Sequence, residues 1–159
     1  MTDKNDRFGS DLRLLRDLEN QNSRNPGGDL SISERPGACG DQTCRDLQTL
    51  TRDDNLKQAL LLRFLTPVGD LALLGHPDYG SRLFELIGEL NSETNRNRAK
   101  LFTLQALQAE PRVKEIRSVT ATQNQADRTR IDIKVSLLTV DSDTLLNLVF
   151  PFFLERGVA

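Results

Sequence analysis

Apolar residues recur at two different spacings along the chain. From Asn55 to Ala109 they follow the 3.6-residue period of helices, and beyond Pro111 they alternate every second residue. Within the first region, Leu56, Ala59, Leu60, Arg63 and Phe64 share one face of a helix predicted over Asn55 to Leu65, capped by Asp53 or Asp54. Thr66-Pro67 ends it, because a residue before proline avoids the helical region. A loop with Gly69, Gly75 and Pro77 follows. Gly80 to Leu90 reads as a second helix with Leu83, Phe84, Ile87 and Leu90 inward. Ser92 to Ala109 reads as a third, with Leu101, Leu104, Ala106 and Leu107 inward and Pro111 as its stop.

Val113, Ile116 and Val119 then mark a strand with a local irregularity, since their spacing is not strictly two. Ile131, Ile133, Val135 and Leu137 alternate with polar residues, the mark of a half-buried strand. Turns are expected at Gln123 to Arg128 and at Asp141-Ser142-Asp143. Leu145 to Leu154 is a last apolar strand. Pro151 cannot donate to a ladder and places it on an edge or at a bulge. The reading is an α+β fold, three core helices followed by a small antiparallel β-sheet.

Residues 1–53 differ from the rest, with ten acids, eight bases and Phe8 as their single aromatic. Asp11 to Asn20 reads as a short amphipathic helix, with Leu12, Leu15 and Leu18 on one face. At that length it needs a surface to pack on. NQNSRNPGGD is a breaker-rich linker, and short apolar stretches flanking ERPGACGDQTC suggest an irregular hairpin. Residues 1–53 are therefore taken as an N-terminal extension and 54–159 as the compact domain. Seven of the eight aromatics lie beyond residue 60, which places the core there.

The 159 residues suffice for one domain. A net charge of −2 excludes a generally basic nucleic-acid binder. The longest apolar run, Leu148 to Leu154, has seven residues, against the ~18 of a membrane span. The polar N-terminus lacks a secretory signal, so a cytoplasmic protein is expected.

A single histidine, His76, leaves one imidazole for any Ser-His-Asp or Cys-His chemistry, with Asp78 its near carboxylate. Cys39 and Cys44 read as free thiols in a reducing compartment, with a metal or redox pair, or a local disulfide, as alternatives. One His and two Cys fall short of a zinc set, and neither metal nor cofactor is expected. Asp70, Asp78, Glu85 and Glu110 are candidates for a hydrolytic carboxylate pair, although 23 acids make chance pairs common. No glycine-rich phosphate loop is present. Arginine outnumbers lysine 16 to 5, a bias that suits bidentate pairing at protein interfaces and also follows from base composition.

Glu110-Pro111-Arg112 is a more telling triplet. Proline holds the two charged residues at a helix-to-strand corner, where the Arg112 fork suits a carboxylate or carbonyl on a partner. An internal salt bridge or a simple helix stop is the alternative reading.

From Asn55 to Leu90, and through the helix ending in AEPRV, the sequence resembles the baseplate wedge family named after gene product twenty-five of T-even phages, also called tail-lysozyme-like. The matching positions are Asn55, Gln58 and Ala59, then Arg63, Leu65, Thr66, Pro67 and Gly69, then Pro77, Tyr79, Gly80 and Ser81, and last Glu110, Pro111 and Arg112. The resemblance covers about two-thirds of the chain, Asn55 to roughly Leu154. GHPDYGSRLFELIG looks like the branch found in contractile injection systems, and the first 50 residues match less well.

The resemblance implies a structural subunit of a contractile phage tail, type VI secretion baseplate or injection system, in multiple copies, six in a ring. It implies wedge and sheath proteins as partners, with hub, spike and tube proteins as further candidates. It implies that Glu110, Pro111 and Arg112 grip the wedge core bundle. It also implies a sheet like the sheath's strand-exchange domain, whose edge at Leu145, Leu148, Phe150, Phe152 and Leu154 templates the first sheath ring. The competing expectations are a muralytic hydrolase, which the older family name suggests, and a soluble regulatory adaptor with the same fold.

Overall fold

A computed structural model describes residues 9–24, 30–39, 42–140 and 143–155, with backbone alone at 35–39 and 42–44. In chain order the elements are β1 (Ser10–Leu12), β2 (Ile32–Cys39), β3 (Gln42–Leu47), β4 (Thr49–Thr51), α1 (Arg52–Leu65), α2 (Glu93–Gln108), β5 (Val113–Gln123), β6 (Arg130–Thr139) and β7 (Leu145–Phe153). Two short 3-10 turns, Ala72–Leu74 and Leu83–Leu86, lie between α1 and α2. The strands form three antiparallel sheets, β1-β4, β2-β3 and β5-β6-β7.

This corrects the expected architecture of three core helices followed by one small sheet. Among the described residues there are two α-helices and three sheets, two of them preceding α1. The expected helix at Gly80 to Leu90 is replaced by one 3-10 turn. Its ends explain why. Ser81 exchanges backbone hydrogen bonds with the α1 exit: its N–H donates to Thr66 O at 2.9 Å, and Val68 N–H donates to Ser81 O at 3.0 Å. Gly80 has φ +115°, and an added Cβ would lie 2.5 Å from Thr66 O. At the far end Gly88 has φ +93° and donates to Leu154 O at 2.6 Å. Tertiary partners thus take the backbone groups that a helix would need. Burial follows the three-residue period, with Leu83 and Leu86 inside, Phe84 exposed and Leu90 83% exposed.

The helices themselves follow local rules. In α2, Ser92 caps the N-terminus by accepting from Asn95 N–H at 3.2 Å. Its buried face is Asn95, Ala99, Phe102, Thr103, Ala106 and Leu107, whereas Leu101 is 50% exposed. Helix α1 stops at Thr66, which is extended as the following proline requires.

The sheet β5-β6-β7 carries most of the strand pattern expected. Ile131, Ile133, Val135 and Leu137 are buried, and β5 has register shifts at Val113/Glu115 and Ile116/Ser118. Strand β7 is an edge, and Pro151 lies opposite Asp132 without a register shift. The β2-β3 hairpin is irregular between Arg35 and Cys39. The side chains of Cys39 and Cys44, and the expected turn at Asp141-Ser142, lie outside the described residues.

Asp11 to Asn20 is not a helix. Ser10–Leu12 pairs with Thr49–Thr51, and the Gln58 side chain takes the following backbone. Its Oε1 accepts from Leu14 N–H at 2.8 Å and Leu15 N–H at 3.1 Å, while its Nε2 donates to Leu12 O at 2.8 Å. These bonds replace the intrahelical ones that so short a helix could not sustain alone. Leu15, Leu18 and Leu50 are buried in the same apolar cluster as α1, α2 and the large sheet.

Candidate functional site

The corner between α2 and β5 brings three charged residues and a tyrosine together. Glu110 continues the end of α2, with its N–H donating to Leu107 O at 3.1 Å. Val113 N–H donates to Glu110 O, and Val140 N–H to Arg112 O, each at 3.1 Å. Pro111 is exposed at the apex, and its ring removes one backbone freedom there. The turn is thus held from both sides.

Glu110 is only 5% exposed. Its Oε1 accepts from Arg112 Nε at 2.6 Å and from Arg112 N–H at 3.4 Å. Its Oε2 faces Arg63 Nη2 at 3.5 Å, a long contact. Arg63 is buried at the end of α1, its guanidinium carbon 4.5 Å from the Tyr79 ring centroid. Arg63 Nε is buried without a hydrogen-bond acceptor among the described residues. Such an orphaned donor costs about 1–3 kcal/mol. The Arg112 side chain is 24% exposed, and its two Nη groups have no partner among the described residues.

Burial pushes the Glu110 carboxyl up, but the hydrogen bond and charge of Arg112, its backbone N–H and the charge of Arg63 together outweigh it. The group therefore stays below its ordinary value. Burial raises the Tyr79 hydroxyl. The charge of Arg63 opposes that rise, Glu110 adds to it and Arg112 opposes it. The corner is an ionised, rigid platform that presents a guanidinium to solvent.

Of the predicted triplet, Glu110 thus faces inward and Pro111 and Arg112 face outward. Arg63 and Tyr79 complete the cluster and were not singled out as site residues. A signal for Arg63 was present: it stands in register with Leu56 and Leu60 on an inward helix face, where a charge requires a buried counter-charge.

The predicted edge residues divide differently. Leu148, Phe150, Phe152 and Leu154 are buried in the core, and Leu145 is 53% exposed. The edge is therefore a backbone surface. Pro151 O accepts from Ser23 N–H at 3.2 Å, and Phe153 N–H donates to Ser23 Oγ at 2.9 Å, both on the side away from β6. By the alternation of an antiparallel ladder, Leu145, Asn147 and Val149 present their backbone groups to that same side, where β7 has no strand neighbour among the described residues. Arg24 adds to the cover at the far end. It stacks 4.0 Å from the Phe153 ring and donates to Glu155 O at 3.2 Å.

The remaining candidates do not converge. His76, Asp78 and Asp70 are exposed in the loop between α1 and α2. Glu85 is held by Arg82 at 2.6 and 3.0 Å. Among the described residues no three His, Cys, Asp or Glu side chains gather as a metal site, and no helix is long and apolar enough to cross a membrane.

No protein-family profile matches the sequence, and no curated protein matches it. Among solved structures, the chain is similar to one from Geobacter sulfurreducens described as a "putative tail lysozyme". The two are 25% identical with a TM-score of 0.54, over 64% of this chain and 89% of that one. The likeness supports a tail-related protein. It bears on the resemblance read from the sequence at that coarser level.

Proposed function

We propose that this chain is a structural baseplate subunit of a contractile particle, which links a wedge core bundle to the first sheath ring. The observation that carries the reading is the corner itself. Glu110 is spent internally on holding Arg112 Nε at 2.6 Å, which leaves the outer face of a fixed guanidinium beside Pro111 for a partner. A fork held in place before binding loses little freedom on contact. The likeness to a tail protein supplies the context.

The half of the β7 edge with no strand neighbour among the described residues, Leu145 to Val149, suits an incoming sheath strand. Main-chain hydrogen bonds would provide the attachment without demanding particular side chains. Six such subunits in a ring would combine weak contacts through effective concentration. The chain would act without metal, cofactor or nucleic acid.

A muralytic role is the competing reading, because the similar structure carries the word lysozyme. Glycoside hydrolysis needs a carboxyl group whose pKa is raised so that it can donate a proton. Glu110 is shifted the other way, and so is Glu85, where the hydrogen bond from Arg82 outweighs burial. Both shifts favour the structural reading.

The test is Arg112→Ala in the native cells. The variant should fold and accumulate normally, yet fail to co-purify with wedge and sheath proteins. Incorporation at the wild-type level would remove the corner from the account.

A further inference from the structure

The corner around Glu110 is short of negative charge. Arg63 and Arg112 contribute two guanidiniums, and Glu110 is the one carboxylate paired with either of them among the described residues. That carboxylate is divided unevenly, at 2.6 Å from Arg112 and 3.5 Å from Arg63. Arg63 Nε is buried without an acceptor among the described residues. An excess positive charge in a mostly desolvated site attracts an anion more strongly than the same charge in water.

We infer that the outer face of Arg112 receives an aspartate or glutamate side chain of the partner protein. The inference rests on the partner-binding reading of this corner and adds the chemistry of what is bound. A carboxylate matches the two outer Nη groups as a planar, two-point acceptor, whereas a backbone carbonyl offers one oxygen and no compensating charge. With a second carboxylate on Arg112, Glu110 is released to tighten on Arg63. The network then holds two cations and two anions.

The chain supplies its own reporter. It contains one tyrosine and no tryptophan, so tyrosine emission reads Tyr79 alone. Tyr79 stacks on Arg63 and lies within electrostatic reach of Glu110 and Arg112. The full chain is titrated with glutarate, with chloride at equal ionic strength and with N-methylacetamide as a neutral carbonyl. The expected result is a saturable emission change with glutarate alone, about tenfold weaker in affinity in Arg112→Gln. Gln keeps donors for a carbonyl and loses the charge.

An equal response to N-methylacetamide, no response to glutarate, or an unchanged response in Arg112→Gln would each overturn the assignment. These results are separable from failure of the partner reading. If Arg112→Ala loses its partners in cells while glutarate gives no response, the corner binds through other chemistry. If glutarate binds while Arg112→Ala assembles normally, the corner takes carboxylates but not the proposed wedge.

Discussion

Replacing Glu110 by glutamine removes one charge and keeps the side-chain shape. In the folded protein it takes away the anionic end of the 2.6 Å bond from Arg112 and the 3.5 Å contact with Arg63. Breaking a buried pair by neutralising one partner costs about 3–5 kcal/mol, because the other charge stays desolvated. Arg112 is partly exposed and regains water, whereas Arg63 is buried and does not, so the lower end, about 3 kcal/mol, is expected. Urea unfolding followed by far-UV circular dichroism measures it. The pH dependence adds a second signature. Glu110 titrates lower in the folded state than in the unfolded chain. Its stabilisation is therefore complete above the ordinary glutamate value, about 4.3, and is lost as pH falls through the depressed folded-state value. The gap between wild type and Glu110→Gln should narrow on acidification. Asp17, Glu85 and Asp127 are also shifted down, but they are common to both proteins and cancel in the difference. A variant within about 0.5 kcal/mol of wild type at neutral pH, or a gap that does not change with pH, would refute the reasoning.

Three other substitutions examine the 3-10 turn and the β7 edge. Leu86→Ala should lose about 2–5 kcal/mol and Phe84→Ala less than about 1 kcal/mol, because the 3-10 turn buries the first and exposes the second. Thermal unfolding of both would show it, and a larger loss at Phe84 would reinstate a helix there. Ser23→Ala removes the acceptor for Phe153 N–H at the β7 edge. Exchange of that amide with deuterium should quicken about fivefold, the effect of about 1 kcal/mol, while the amides facing β6 are unchanged.

What could be read in the sequence followed from local rules. The stop of α1 at Thr66, the helix that ends before Pro111, the irregular β5 and the edge position of β7 all depend on a proline or a hydrophobic period within a few neighbours. The errors came where distant backbone intervened. Gly80 to Leu90 has helical spacing, but Thr66, Val68 and Leu154 take its hydrogen-bonding groups from 13 or more residues away. Asp11 to Asn20 has an amphipathic pattern, but the Gln58 side chain, more than 40 residues on, bonds its backbone instead. The site shows the same division. Glu110, Pro111 and Arg112 form a local motif. Arg63 and Tyr79 join it through the return of α1 and its exit loop, and only the inward register of Arg63 hinted at a buried partner.

The central claim is membership of a contractile particle, and its most direct test is affinity purification of the tagged chain from its native cells with mass spectrometry of the companions. Wedge, sheath and tube proteins are expected in one complex, with this chain in several copies. A single soluble partner, or cell-wall material without tail proteins, would contradict it.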